Sequence, residues 1–185
     1  KHSTIRTPAF AKYFGVVNSV DDIKSAIDFV KEKKIDFKFL GNGSNILFSQ
    51  EYYDNILFLQ LGKSYNEIDF FDDYIEIGGS YSLIQAGRQL INKGYKDFIF
   101  FSLIPATIGG AVRQNAGTGT SEEIKDVFLS AMVFDTETSK VEEKFLKDFN
   151  FGYRTSLIKK HPHRYIVLSA KFKLINKSKN ISGLI

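Results

Sequence analysis

Ser102–Gly119 reads SLIPATIGGAVRQNAGTG, a run of small residues set between two aromatic-rich, apolar segments, and the remainder of the chain is best read outward from it. Gly109 and Gly110 carry no side chain to hold a ligand away. Pro105 fixes the entry, and Asn115 followed by Ala116 and Gly117 puts an amide side chain beside nearly bare backbone. Backbone N–H groups in such a loop are good partners for phosphate oxygens. A short helical turn over Thr107–Val112 fits the small, apolar ATIGGAV segment.

A second stretch of the same character lies upstream at Leu40–Phe48, LGNGSNILF, where FKFL runs into Gly41-Asn42-Gly43-Ser44-Asn45. Two phosphate-friendly loops point to a diphosphate ligand. Neither is a standard nucleotide motif: Ile46 stands where the dinucleotide fingerprint needs its third glycine, and the chain has no GK[ST] for a P-loop. Taken singly, each loop reads as a tight turn more often than as a ligand cradle, because Gly and Asn serve turns so generally.

The 185 residues suit one domain or two small lobes, and 18 Phe with 9 Tyr predict an ordered, aromatic-heavy core. No apolar run is long enough for a membrane helix and no leader-like segment opens the chain, so a soluble protein is expected. The lack of Cys excludes disulfides, thiolate metal sites and a Cys nucleophile, and it fits a reducing cytoplasm. A net charge of +4, with its lysines scattered, argues against a nucleic-acid stripe and suits an anionic small ligand in a locally positive pocket. The first residue is Lys, so the natural start is expected to be missing or trimmed.

Periodicity predicts a small βαββ lobe over residues 1–62. It consists of a strand at Ala11–Val17, a helix from the Ser19 cap through Lys33, and a strand at Phe37–Leu40 running into the first glycine loop. Extended structure resumes at Ile46–Phe48, and a strand follows at Asn55–Leu61. A glycine loop at a strand end is a common ligand position in α/β folds. Residues 63–176 read as a second lobe. Its parts are a hairpin over Glu67–Gly78 turning at Asp72-Asp73, a helix from Ser82 to Lys93 stopped by Gly94, a strand pair at Val127–Asp135 and Val141–Glu143, and a last core strand at Tyr165–Ile175. Residues 177–185 read as a fraying polar tail.

The ordered set GNGSN, IPATIGGAVRQNAG and FGYRTS (Phe151–Ser156), with the opening His2-Ser3-Thr4-Ile5-Arg6, resembles the UDP-N-acetylenolpyruvoylglucosamine reductase family, whose pattern runs roughly HTTFR, GxGSN, IPGxxGGA, NAG and FGYRxS. The resemblance covers nearly the whole chain. It implies an α+β, two-lobed FAD-binding fold of the vanillyl-alcohol oxidase type. It further implies NADPH-dependent reduction of an enolpyruvyl ether to UDP-N-acetylmuramate for peptidoglycan synthesis. On this basis Gly41, Asn42, Gly43, Ser44 and Asn45 face the FAD pyrophosphate. Ile104, Pro105, Thr107, Gly109, Gly110, Asn115, Ala116 and Gly117 wrap the diphosphate and flavin. Arg154 is the catalytic match, a guanidinium placed to stabilise developing enolate-like charge, and Tyr153 lies near the nucleotide-sugar substrate.

The sequence departs from the family at Ala106, where Gly is usual, at Asn42, and at Thr118-Gly119-Thr120, which replaces Ala-Tyr-Gly with one extra residue. Arg6 is either structural or a phosphate partner. His2, His161 and His163 have no support as metal ligands or acids, and Ser156 reads as a hydrogen-bonding residue. The family's proton donor and assisting Glu belong to a third domain whose characteristic Gly-Ser segment is missing, so the sequence reads as truncated before it or as lacking it. Three readings follow. The first is a reductase of this type. The second is a flavin-binding module acting on another nucleotide sugar or needing a partner chain for the missing domain. The third is a non-catalytic nucleotide-binding protein.

Overall fold

The computed structural model describes residues 9–119 and 122–175. Arg6 with its flanking opening motif, Thr120 and the polar tail lie outside the described residues. Strand β1 (Phe10–Val17) leads into helix α1 (Val20–Lys33), and β2 (Asp36–Phe39) and β3 (Tyr52–Leu61) complete a three-stranded parallel sheet in the order β1-β3-β2. The Ser19 hydroxyl accepts from Asp22 N–H while the Asp22 carboxylate accepts from Ser19 N–H, a reciprocal cap that fixes the start of α1. The helix buries Ile23, Ile27 and Val30, each contributing about 2 kcal/mol of apolar burial. Ile46–Phe48, expected as extended structure, joins no ladder, because Phe48 turns back to pack edge-on against Tyr53 and Phe58.

The second sheet is antiparallel. The hairpin β4 (Ile68–Phe70) and β5 (Tyr74–Gly78) pairs with β8 (Tyr165–Lys173), which pairs in turn with β6 (Phe128–Asp135), and β7 (Lys140–Phe145) closes the edge. Helix α2 (Leu83–Asn92) is capped by Ser82 and left through Gly94, whose φ of 98° a side chain would oppose. The following aromatic stretch is a 3-10 helix, Lys96–Leu103. Phe98, Phe100, Phe101 and Phe172 interlock edge-to-face between α2 and the sheet, with centroids 4.9 to 5.3 Å apart. Two four-residue helices, α4 (Ile124–Val127) and α5 (Leu157–Lys160), were not visible in the periodicity.

One core cluster joins the two sheets: Ile23, Ile27, Val30, Leu57 and Leu59 pack with Phe134, Ile166 and Leu168. The strand ends that carry the functional loops are thereby held at a fixed separation. Among the described residues no helix is long and apolar enough to cross a membrane.

Candidate functional site

β2 and β3 are parallel, so the chain leaving β2 at Leu40 and the end of β3 at Leu61 lie at the same edge of the sheet. A cleft of about 1260 Å³ opens there, lined by residues 41–49 on one side and by the second glycine loop on the other. This exceeds the ~300–1,000 Å³ of a drug-sized ligand site and leaves room for an extended dinucleotide.

The second loop is only partly a loop. Pro105 and Ala106 lead to Thr107, which caps helix α3 (Ile108–Gln114) by accepting from Gly110 N–H at 3.3 Å, so Gly109 and Gly110 form the first helical turn. The two glycine segments touch. A Cβ on Gly41 would stand 2.6 Å from Thr107 Oγ1, inside any real contact. Gln60 Nε2 donates to Gly41 O at 3.0 Å and secures the first loop to β3, and Gly43 adopts φ 66° to turn it. Gly109 N–H donates to Gly79 O at 2.9 Å, and Gly79 N–H to Leu168 O at 2.7 Å, tying the start of α3 to the central strand β8.

Lys38, Arg113, Arg154 and Lys159 line the cleft, and no Asp or Glu is among its lining residues. Cations beside the glycine-rich 41–45 backbone, without a carboxylate to oppose them, suit an anionic ligand. The residues present therefore fit FAD.

Gly41, Asn42, Gly43, Ser44, Asn45, Ile104, Pro105, Thr107, Gly109, Gly110, Ala116 and Gly117 all line the cleft, and so does Arg154. Asn115 does not. It is wholly buried at φ 45°, where it ends α3. Its Nδ2 donates to Gly152 O at 2.9 Å and Glu123 Oε2 at 3.0 Å, and its Oδ1 accepts from Lys125 N–H at 3.1 Å. The amide is thus consumed in joining the second loop to the FGYRTS turn. The structure gives the side chain a structural tie, away from the cleft lining. Tyr153 is also absent from the lining; it is 79% exposed, with Arg154 stacked over its ring at 5.3 Å.

Arg154 sits at φ 54°, and its Nη2 donates to Gly117 O at 2.6 Å. Its charge also helps hold Glu123 below the usual carboxylate range, a shift due first to the hydrogen bond from Lys125. Ala106 finds room, half-buried against the main core. Ser156 is buried and donates to Arg113 O at 2.7 Å. His161 and His163 are exposed, and His163 Nδ1 lies 3.4 Å from Asp36. Sequence reasoning missed Gln60, Gly79, Ser80, Arg113 and Lys159 as parts of this cleft. The Gly-Gly-Ser at the end of β5 was the one visible signal; the others carry no motif.

A family model described as "FAD binding domain" matches residues 11–143. UDP-N-acetylenolpyruvoylglucosamine reductase of Francisella tularensis subsp. tularensis is 32% identical over 179 residues, which are 97% of this chain and 61% of that protein. The enzyme of the same name from Bacillus subtilis is 28% identical over 96% of this chain and 57% of its own length. Among solved structures, UDP-N-acetylenolpyruvylglucosamine reductase from Thermus caldophilus matches with a TM-score of 0.72 at 25% identity, over 89% of this chain and 56% of that one. Alkyldihydroxyacetonephosphate synthase, at 15% identity and a TM-score of 0.57 over 90% of this chain and 32% of its own, shares the fold. This chain thus spans a little over half the length of those two reductases. Its two-sheet α+β architecture is the FAD-binding fold of the vanillyl-alcohol oxidase type. By the span of the domain match and the run of reductase relatives along it, the chain belongs to the FAD binding domain family and corresponds to the FAD-binding portion of the UDP-N-acetylenolpyruvoylglucosamine reductases.

Proposed function

We propose that this chain binds FAD in the cleft and serves as the flavin-holding part of an NADPH-dependent reductase acting on a UDP-linked enolpyruvyl sugar, a cytoplasmic step in making peptidoglycan precursors. The observation that carries the reading is the contact of two bare-backbone loops from separate sheets, Gly41 against Thr107, in a cleft lined by cations and no carboxylate. Bound FAD supplies the two-electron hydride chemistry. The residues of the chain bind and orient. The 41–45 backbone faces the diphosphate, while the N–H groups of Ile108, Gly109 and Gly110 are already engaged by Tyr81 O, Gly79 O and Thr107 Oγ1, so the second segment contributes close approach rather than donors, and Gln60 keeps the first loop in register through Gly41 O. Arg154, anchored on Gly117 O, has donors left over for an anionic group of the acceptor, and Tyr153 extends the contact surface beyond the cleft. Among the described residues no carboxylate lines the cleft, so an assisting acid is assigned to a further segment or a partner chain.

Anaerobic addition of NADPH to the FAD-loaded protein tests the reading. Bleaching of the visible flavin band, reversed by the UDP-linked enolpyruvyl sugar with a matching amount of reduced product, is the expected result. Bleaching that this sugar does not reverse, even with the rest of the relatives' length supplied as a separate chain, would move the assignment to a flavin module for a different acceptor.

A further inference from the structure

The cleft has two poles. Its glycine segments meet at Gly41 and Thr107, where α3 begins. Arg113 lies six residues beyond Thr107 near the far end of that helix, roughly 9 Å along the axis at ~1.5 Å per residue.

Arg113 lines the cleft and is half-buried. Its Nη1 donates to Ile158 O at 3.2 Å, and it takes part in none of the ion pairs found among the described residues. Lys159 is fixed relative to it by one buried hydroxyl: Ser156 Oγ donates to Arg113 O at 2.7 Å and accepts from Lys159 N–H at 3.4 Å. Lys159 Nζ donates to Arg154 O at 2.8 Å, and Arg154 Nη2 to Gly117 O at 2.6 Å. Three cations are therefore gathered at one junction of α3, the 152–155 turn and α5, each bonded to carbonyl oxygens and none to a carboxylate. The nearby acid, Glu123, is already engaged by Lys125 at 2.9 Å. Burial also pulls the Arg113 guanidinium below its ordinary value, as expected of a poorly hydrated charge. A diphosphate held at the glycine pole leaves this second pole uncompensated.

We propose that Arg113 and Lys159, beside Arg154, form a second anion subsite, which receives a phosphate group of the ligand that exchanges hydride with the flavin. It does not receive the FAD diphosphate. The inference rests on the flavin reading of the cleft. The phosphate belongs either to the dinucleotide donor or to the nucleotide-sugar acceptor, and the chemistry recognised is the same.

The test titrates the FAD-loaded protein and its Arg113→Ala, Arg113→Lys and Lys159→Ala variants with pyrophosphate, NADP⁺, NAD⁺ and UDP at low ionic strength, by calorimetry and by the change in flavin absorbance. Losing one charge-assisted contact should weaken pyrophosphate binding by about 10-fold to 100-fold. FAD affinity should fall far less than pyrophosphate affinity, with partial recovery of the latter in Arg113→Lys, which also serves if the alanine variant folds poorly. A subsite for the donor would narrow the preference for NADP⁺ over NAD⁺ in Arg113→Ala. One for the acceptor would weaken UDP and leave that preference intact. Equal weakening of FAD and pyrophosphate would overturn the proposal, as would a wild type that binds no pyrophosphate or a variant that matches it. Failure of the flavin reading shows separately, as absence of FAD uptake by the wild type. Pyrophosphate titration of the flavin-free protein then still decides whether the subsite exists.

Discussion

At Gly41 a single methyl group would push apart the two loops whose contact forms the glycine pole of the cleft. Its nearest obstacle is Thr107 Oγ1, the same atom that caps α3, so it cannot swing away without freeing Gly110 N–H. Gly41→Ala should therefore weaken FAD by about 10-fold to 100-fold, the loss of one charge-assisted contact to phosphate, in a fluorescence titration. Adding Thr107→Ala should recover part of that loss, which a merely additive pair of defects would not do. Asn115 is a motif residue whose side chain the structure places away from the cleft lining. The motif placed its amide beside the ligand, but the left-handed backbone at φ 45° turns it inward, and nothing in NAG specifies which partners will be in reach. Asn115→Ala should cost on the order of 2 kcal/mol in denaturant unfolding, because Gly152 O and Lys125 N–H each lose a partly buried partner. Glycine and proline positions were legible because they report local backbone needs. Gln60, Arg113 and Lys159 were not, since their roles arise from elements distant in sequence that meet only after folding.

Elements whose pattern is set locally were read well. The α1 cap, the turn at Asp72-Asp73 and the alternation of β8 each lie within a few residues of one another. The 3-10 stretch at Lys96–Leu103 escaped because a dense aromatic run buried on several sides has no single period, and α4 and α5 are too short to show one. Gly79 connects three elements at once: its Cβ would fall 2.3 Å from Val167 O on β8, and its carbonyl receives the first turn of α3. Gly79→Ala should lower stability by about 3 kcal/mol or more by overpacking that junction, seen in thermal melts, with FAD uptake lost in parallel. The β6–β8 pairing carries a pH signature. Burial alone would raise Asp135, but the Arg164 fork at 2.9 to 3.3 Å and the N–H groups of Glu137 and Thr138 outweigh it and hold the carboxyl below its usual value. A folded pKa depressed in this way adds stability that is fully present above the unfolded value of ~3.9 and is lost as pH falls through the lower folded value. Arg164→Gln should therefore lower the denaturant midpoint at neutral pH, and its difference from wild type should shrink once the pH drops below about 4.

Across the molecule, the parallel and antiparallel sheets share one cluster of buried side chains, with Phe134, Ile166 and Leu168 of the second sheet packed among residues of α1 and β3. Far-ultraviolet and near-ultraviolet signals should accordingly report one coincident unfolding transition, and separate midpoints would show that the sheets unfold independently. That shared core holds the two loops on facing walls of one cleft, whose lining among the described residues presents cations and no carboxylate. The most direct measurement is a titration of the flavin-free protein with FAD, followed by flavin fluorescence and by the visible absorption spectrum, with the ligand released and identified afterwards. The predicted result is saturable binding of one FAD per chain, weakened in Gly41→Ala. Absence of a spectral or fluorescence change at excess FAD, in a protein that gives the folded transition described above, would contradict the account.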